Sequence, residues 1–339
     1  MKKITLDELA RRAGVGVATV DRVLNERGGV LPATAQKVLQ AARESGLKRI
    51  LPEEHRHPWQ IEVLLSGNGS YFFRQLSDHF SKAATGLGHR RLTLRRTFIP
   101  ETKPQKLAAH IAASSATSDG LIVYAHDYPV VHEALALCKA RGVPVITLVT
   151  DLPGAERLCH VGINQLQAGR TAGLLMGKMV SGPGEVIMVS GRSDYRAHQE
   201  RIRGFRDVLT ARFPHVTLRE VLAGEDRRET ISRLLETELA RAGDVAGIYN
   251  TGQGNREIDA ALMRHRLAGK CVFITHELSA NTRTLLAADT LSLTLDQNAR
   301  QHAQLAIELM INYLDSGEVP DLYSAGKVAF TIHTPENII

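Results

Sequence analysis

The chain has 339 residues, 43% hydrophobic and 23% charged, with 42 Lys+Arg against 36 Asp+Glu and a net charge of +6. No apolar run approaches the ~18 residues of a membrane-spanning helix, and the start Met1-Lys2-Lys3-Ile4-Thr5-Leu6 lacks the apolar centre of a signal peptide, so a soluble, cytoplasmic protein is expected. Cys138, Cys159 and Cys271 are scattered, odd in number and mostly in apolar or strand contexts, which reads as buried structural thiols in a reducing cytoplasm.

Thr5 and Glu8 have the T-x-x-E spacing of a capping box, which predicts a helix starting near Leu6. Leu6, Leu9, Ala10 and Ala13 share one face of it, and Gly14 stops it. A second helix, from about Gly16 to Asn25, buries Val20, Val23 and Leu24. That leaves Val17, Ala18, Asp21 and Arg22 outward as candidate base readers. A third opens with Pro32, turns Ala35, Val38, Leu39 and Ala42 inward, and closes at Gly46. Three helices in so short a span predict a helix-turn-helix domain over residues 1–46. Charge supports this: residues 1–57 hold 11 Lys+Arg against 7 Asp+Glu, so two thirds of the net charge lies in the first sixth of the chain. A local basic excess is what phosphate contact requires, and double-stranded DNA is the expected partner.

The run Thr5-Leu-Asp-Glu-Leu-Ala-Arg-Arg-Ala-Gly-Val-Gly-Val-Ala-Thr-Val-Asp-Arg-Val-Leu-Asn25, followed by Pro32-Ala-Thr-Ala-Gln-Lys-Val-Leu-Gln-Ala-Ala42, resembles the head piece of the lactose/galactose repressor (LacI/GalR) family. The resemblance implies base contacts from Val17, Ala18 and Arg22 and phosphate contacts from Thr5, Thr19, Asn25 and Thr34. It also implies a homodimer on an inverted-repeat operator. Gly16 stands where the family usually has serine, removing one phosphate contact. The family's hinge helix, whose leucine wedges into the minor groove, is not matched at 47–59. There Pro52 and Pro58 bracket a charged linker, with Leu51 either the wedge or a side chain packed on the next domain. His55 and His57 have no third ligand at suitable spacing, and no metal is expected.

Residues 60–339 alternate strands and helices: strands at 61–65, 91–98, 120–124, 143–149, 185–190, 216–222, 245–249, 271–275 and 291–295. Helices fall at 73–88, 104–117, 129–141, 165–181, 198–212, 227–242, 254–266, 279–288 and 298–316. The alternation predicts a two-lobed α/β core, each lobe a parallel sheet with helices on both faces. It resembles the periplasmic-binding-protein-like core of the same family. The N-terminal lobe is expected at about 60–160 plus 294–320, and the C-terminal lobe at about 161–293 plus 321–339.

Such lobes bind small molecules beyond the carboxyl ends of their strands. After the first strand, Ser66-Gly-Asn-Gly-Ser-Tyr-Phe-Phe73 resembles the family's aromatic-flanked sugar loop. It nominates Ser70, Phe72 and Phe73, with helix-start core as the other reading of the two rings. Asp151, at a strand end, suits paired hydroxyl donors. In Ser190–Phe205 the resemblance assigns effector contact to Arg201, four residues before the aromatic, with His198 next; a guanidinium fork holds two ligand oxygens. Asn250, His276, Glu277 and Asp296 complete the strand ends, His276 standing where the family often has an acid. Each polar tip also suits a turn or helix cap. Neither Gly67-Asn68-Gly69 nor Gly252-Gln253-Gly254 extends to a dinucleotide or P-loop motif, and no nucleophile motif occurs. No cofactor and no enzymatic activity are expected. The reading is a ligand-controlled transcriptional repressor responding to a sugar, sugar acid or polyol. The alternative is a transporter's solute-binding protein, which would need an export signal and have no use for residues 5–46.

Overall fold

The computed structural model describes residues 5–25, 27, 29–45, 58–67, 69–87, 92–100, 102–192 and 194–338. The chain divides into two units, Met1–Pro58 and Trp59–Ile339.

The first unit contains α1 (Leu6–Ala13), α2 (Val17–Leu24) and α3 (Pro32–Glu44). Thr5 Oγ1 accepts from Glu8 N at 3.3 Å, satisfying one of the amides left open at a helix start. Gly14, at φ +66, turns the chain out of α1 in the left-handed region open to a residue without Cβ. Leu9, Val20, Val38 and Leu39 are at most 2% exposed, and each such side chain contributes roughly 1.5–3 kcal/mol by leaving water. Leu6, placed by its spacing on the same face as Leu9, is 40% exposed and stays outside the core. Leu51, with His55, His57 and the rest of 46–57, lies outside the described residues.

The second unit holds two sheets. β1 (Trp59–Ser66), β2 (Leu92–Ile99), β3 (Gly120–Val123), β4 (Val145–Leu148) and β5 (Cys159–Val161) form a parallel sheet in the order β2-β1-β3-β4-β5. Between its strands run α4 (Tyr71–Leu87), α5 (Pro104–Ser114) and α6 (Pro129–Ala140). The second sheet contains β6 (Gly184–Ser190), β7 (Val216–Ala223), β8 (Val245–Asn250), β9 (Val272–His276), β10 (Leu293–Asp296) and β11 (Thr331–His333), in the order β11-β10-β9-β8-β6-β7. Its helices are α7 (Gln165–Met179), α8 (Arg196–Arg212), α9 (Arg228–Arg241), α10 (Asn255–Arg264) and α11 (Ala280–Ala287). In each sheet the second strand in chain order pairs on one side of the first and the third pairs on its other side. This creates a switch point at β1/β3 and another at β6/β8, where loops diverge and leave room for a ligand.

Two short strands, β5 and β11, escape the sequence reading, and β11 runs antiparallel to β10. The lobe boundary also shifts. Leu293–Leu295 pair with Ile274–His276, so this strand belongs to the second sheet; the chain returns to the first lobe only afterwards, in α12 (Ala299–Ser316). Met310 on α12 abuts Gly120 of the first sheet, and Gly162 bonds to Gly326 and Val328 where the chain passes back toward β11.

Candidate nucleic-acid interface and ligand cleft

On α2, the inward positions are consumed by Val20, Val23 and Leu24, and helical spacing leaves Val17, Ala18 and Arg22 exposed together. Val17 is 39% exposed and stands outside the core cluster of this unit. Asp21 has other partners: one carboxylate oxygen accepts from Asn25 Nδ2 at 2.6 Å and the other from Arg27 at 2.9 Å. Asp21 thus braces the end of α2, and Thr5 Oγ1 serves as the cap of α1. Thr19 and Thr34 are half-buried and Asn25 is exposed.

Between the lobes of the second unit lies a cleft of about 360 Å³ at the carboxyl ends of the strands. Its first wall is the start of α4. Phe72 and Phe73 meet edge to face with centroids 5.6 Å apart; Phe72 packs on His302 and Phe73 on Tyr124, at 5.7 and 4.6 Å. They line the cleft and at the same time belong to the lobe's core. Ser70 lines the cleft beside them and accepts from Phe73 N at 3.4 Å.

The opposite wall is built on α7 and α8. Arg201 is 4% exposed; its Nε donates to Gln165 Oε1 at 2.7 Å and its Nη1 to Thr251 O at 2.9 Å. Gln165 Nε2 donates to Gln297 Oε1 at 3.1 Å, and Gln297 in turn donates to Glu277, so one amide relay links α7, the start of α12 and the end of β9. His198 Nδ1 bonds Thr251 Oγ1 at 2.9 Å, and burial pushes its pKa down to about 3, keeping the ring neutral. His276 Nε2 bonds Tyr249 Oη at 2.8 Å and is likewise neutral through burial. Burial, reinforced by the charge of Asp296, raises the Glu277 carboxyl to about 8. Val149 and Glu277, each following a strand, adopt φ +68 and +70. For the β-branched Val149 this costs on the order of 1–3 kcal/mol. Its amide bond to Val161 O at 2.9 Å helps hold the conformation.

A family model described as periplasmic binding protein domain matches residues 61–318, and one described as bacterial regulatory proteins, lacI family, matches residues 5–49. The chain joins a lacI-family head to a core that belongs to the periplasmic binding protein domain family. It is 23% identical over 257 residues to the HTH-type transcriptional regulator CelR of Thermobifida fusca, covering 73% of each chain. It is 26% identical over 215 residues to the ribose import binding protein RbsB of Haemophilus influenzae, covering 63% of this chain and 71% of that one. Its fold matches a solute binding protein from Burkholderia graminis in complex with D-arabinose, with TM-score 0.75 and 21% identity over 83% of this chain and 97% of the other. A periplasmic solute binding protein from Actinobacillus succinogenes with bound D-allose gives TM-score 0.75 and 16% identity, over 82% and 98%.

Of the residues nominated from the sequence, Ser70, Phe72, Phe73, His198, Arg201, His276 and Glu277 line the cleft of this core. Three do not. Asp151 is drawn onto Arg157, which holds both its oxygens. Asn250 is fully buried and shapes the 251–255 loop, donating to Gly252 O at 3.0 Å and Asn255 Oδ1 at 2.7 Å and accepting from Gly252 N. Asp296 accepts from Asn298 N at 3.3 Å and acts on Glu277 rather than on the cleft. Thr251, Gln253, Asn255 and Gln297 take their places along the wall, from the very loops the strand ends pointed to. Tyr124 and Tyr195 also line it, and their signal was present too: each is an aromatic one or a few residues beyond a strand. Among the described residues no group of three or more His, Cys, Asp or Glu could hold a metal, and no helix is long and apolar enough to cross a membrane.

Proposed function

We propose that the chain is a cytoplasmic, homodimeric transcriptional repressor of the lacI family whose operator affinity is set by a sugar, sugar acid or polyol held between the lobes, with residues 47–59 as the linker. The observation that carries this reading is the exposed Val17/Ala18/Arg22 face of α2, on a chain that also holds the cleft. Arg22 can fork onto the O6/N7 edge of guanine, and the two apolar side chains can meet thymine methyls. The cleft volume lies at the lower end of the ~300–1,000 Å³ range of ligand sites, which suits a single sugar-sized molecule. D-arabinose and D-allose occupy the two solved proteins of the same fold. The solute-binding alternative leaves α1–α3 without a purpose.

The mechanism is linkage. A ligand that prefers one arrangement of the lobes shifts the population toward it, and its differential affinity sets how far operator binding changes. Two heads of a dimer read half-sites about one helical turn apart. Gel-shift titration of a palindrome from the protein's own promoter region tests the reading. Arg22→Ala should lose about 1–3 kcal/mol of operator affinity. Equal affinity for a scrambled duplex, or no loss in the variant, refutes operator reading.

A further inference from the structure

The charges around the cleft do not cancel at its deepest cation. Arg228 pairs with Glu257 at 3.7 Å at the mouth. The Asp226 carboxyl is held by the backbone amides of Gln253 and Arg192. Glu277 accepts from Gln297 and faces Asp296, a like-charged neighbour that favours its protonated form. Arg201 is left with two neutral acceptors, the amide oxygen of Gln165 and the carbonyl of Thr251. Among the described residues no carboxylate lies within ion-pairing distance of it. A guanidinium stays protonated even when buried, so this wall carries a desolvated positive charge with hydrogen bonds but no direct ion pair, Glu277 acting on it only from beyond contact distance. Such a charge is costly to maintain, and a ligand that supplies the missing anion removes the cost on binding. His198 and His276, flanking Arg201, are neutral and add no competing charge. On the opposite wall Phe72 and Phe73 offer apolar ring surface for the C–H face of a carbohydrate skeleton.

Building on the regulator reading, we propose that the effector is a polyhydroxylated monocarboxylate, an aldonic or uronic acid, whose carboxylate pairs with Arg201. One buried guanidinium matches one negative charge, which favours a carboxylate over a phosphate dianion.

Calorimetry and thermal-shift measurements on the full chain at fixed pH and ionic strength compare D-ribonate, D-gluconate, D-galactonate and D-glucuronate with D-ribose, D-glucose, D-galactose and D-glucitol. The expected result is an acid that binds about 100-fold or more tighter than its neutral counterpart, the size associated with leaving a buried charge unpaired. Arg201→Gln should abolish that preference, whereas Arg264→Gln, at an arginine that pairs with Glu236 and does not line the cleft, should leave it unchanged within about threefold. A neutral compound as the best binder, no acid that binds, or an acid preference that survives in Arg201→Gln overturns the proposal. If Arg201→Gln does not fold, the ratio measured on the unaltered chain decides by itself. A neutral sugar that releases operator DNA overturns the acid proposal and leaves the regulator reading standing. Absence of operator binding overturns the regulator reading, and calorimetry still decides the ligand's charge.

Discussion

Arg157 closes on Asp151 through two contacts, Nε to Oδ1 at 2.9 Å and Nη2 to Oδ2 at 3.0 Å, and Leu152 N donates to the same Oδ1 at 2.8 Å. A carboxylate at a strand end, in the position of a ligand contact, is thereby committed to its own lobe. The arginine side chain is 9% exposed, so removing its partner strands a desolvated charge, while the 32% exposure of Asp151 moderates the loss. Asp151→Ala should cost about 1–3 kcal/mol in urea unfolding and leave ligand affinity within about threefold. Loss of ligand binding at unchanged stability would return Asp151 to the site.

Asp21 invites a comparable test in the head. With Asn25 and Arg27 on its carboxylate, it neutralises a cation beside the α2 face that Arg22 shares. Asp21→Asn should free Arg27 for phosphates. It should steepen the fall of DNA affinity with salt by about one counterion and raise affinity for operator and scrambled duplex alike. A change confined to one operator position would instead make Asp21 a base reader.

Stability should peak at about pH 7. Burial lowers His126, His160 and His302 to about 4 and His198 to about 3, against an ordinary 6.5, and lowers His276 further. Below pH 6.5 the unfolded chain takes up protons that the folded chain refuses, so stability falls as pH drops toward 4. Glu277 acts oppositely: the folded carboxyl keeps its proton up to about 8, the unfolded one releases it near 4.5, and stability declines as pH rises between them. The Asp226 carboxyl, raised mainly by burial, has the same sign. Five histidines outweigh two carboxyls up to about pH 7, and once the unfolded histidines have lost their protons the carboxyl slope prevails. Urea unfolding at intervals from pH 4 to 8.5 should show this maximum, and Glu277→Gln should flatten its alkaline side. Stability that keeps rising to pH 8 in the unaltered chain would contradict the burial of Glu277.

The elements were legible where periodicity had room to repeat. The 18 residues of α12 and the apolar run of β1 carry enough positions to declare a period, whereas Cys159–Val161 and Thr331–His333 span three residues each. A strand that short is defined by the neighbour it pairs with. The site was legible as a set of strand ends but not residue by residue, for the same reason. Asn250 and Thr251 are adjacent at the end of β8; side-chain alternation and the turn that follows send the threonine to the cleft and the asparagine into its loop. Arg157 was invisible as the partner of Asp151, because no pattern in the sequence marks a six-residue loop that folds back on its own strand.

The position of Arg201 depends on glycines that carry no chemistry. Helices α7 and α8 approach so closely that a Cβ at Gly169 would strike the carbonyl of Arg201, and one at Gly204 would strike the carbonyl of Leu166. Those obstacles are backbone atoms within helices and do not yield by a rotamer change. Gly169→Ala should therefore push α8 outward and draw Arg201 away from Gln165 and Thr251, now 2.7 and 2.9 Å from its nitrogens. The expected outcome is a loss of about 1–3 kcal/mol in stability and of about tenfold or more in ligand affinity. Gly86→Ala, in a helix where a methyl would meet nothing within 4 Å, gives the contrast. There the substitution removes backbone freedom from the unfolded chain and should stabilise by about 0.5–1 kcal/mol without touching the ligand. If both alanines stabilise alike, the α7/α8 crossing has slack, and close approach does not set the guanidinium's place in the cleft.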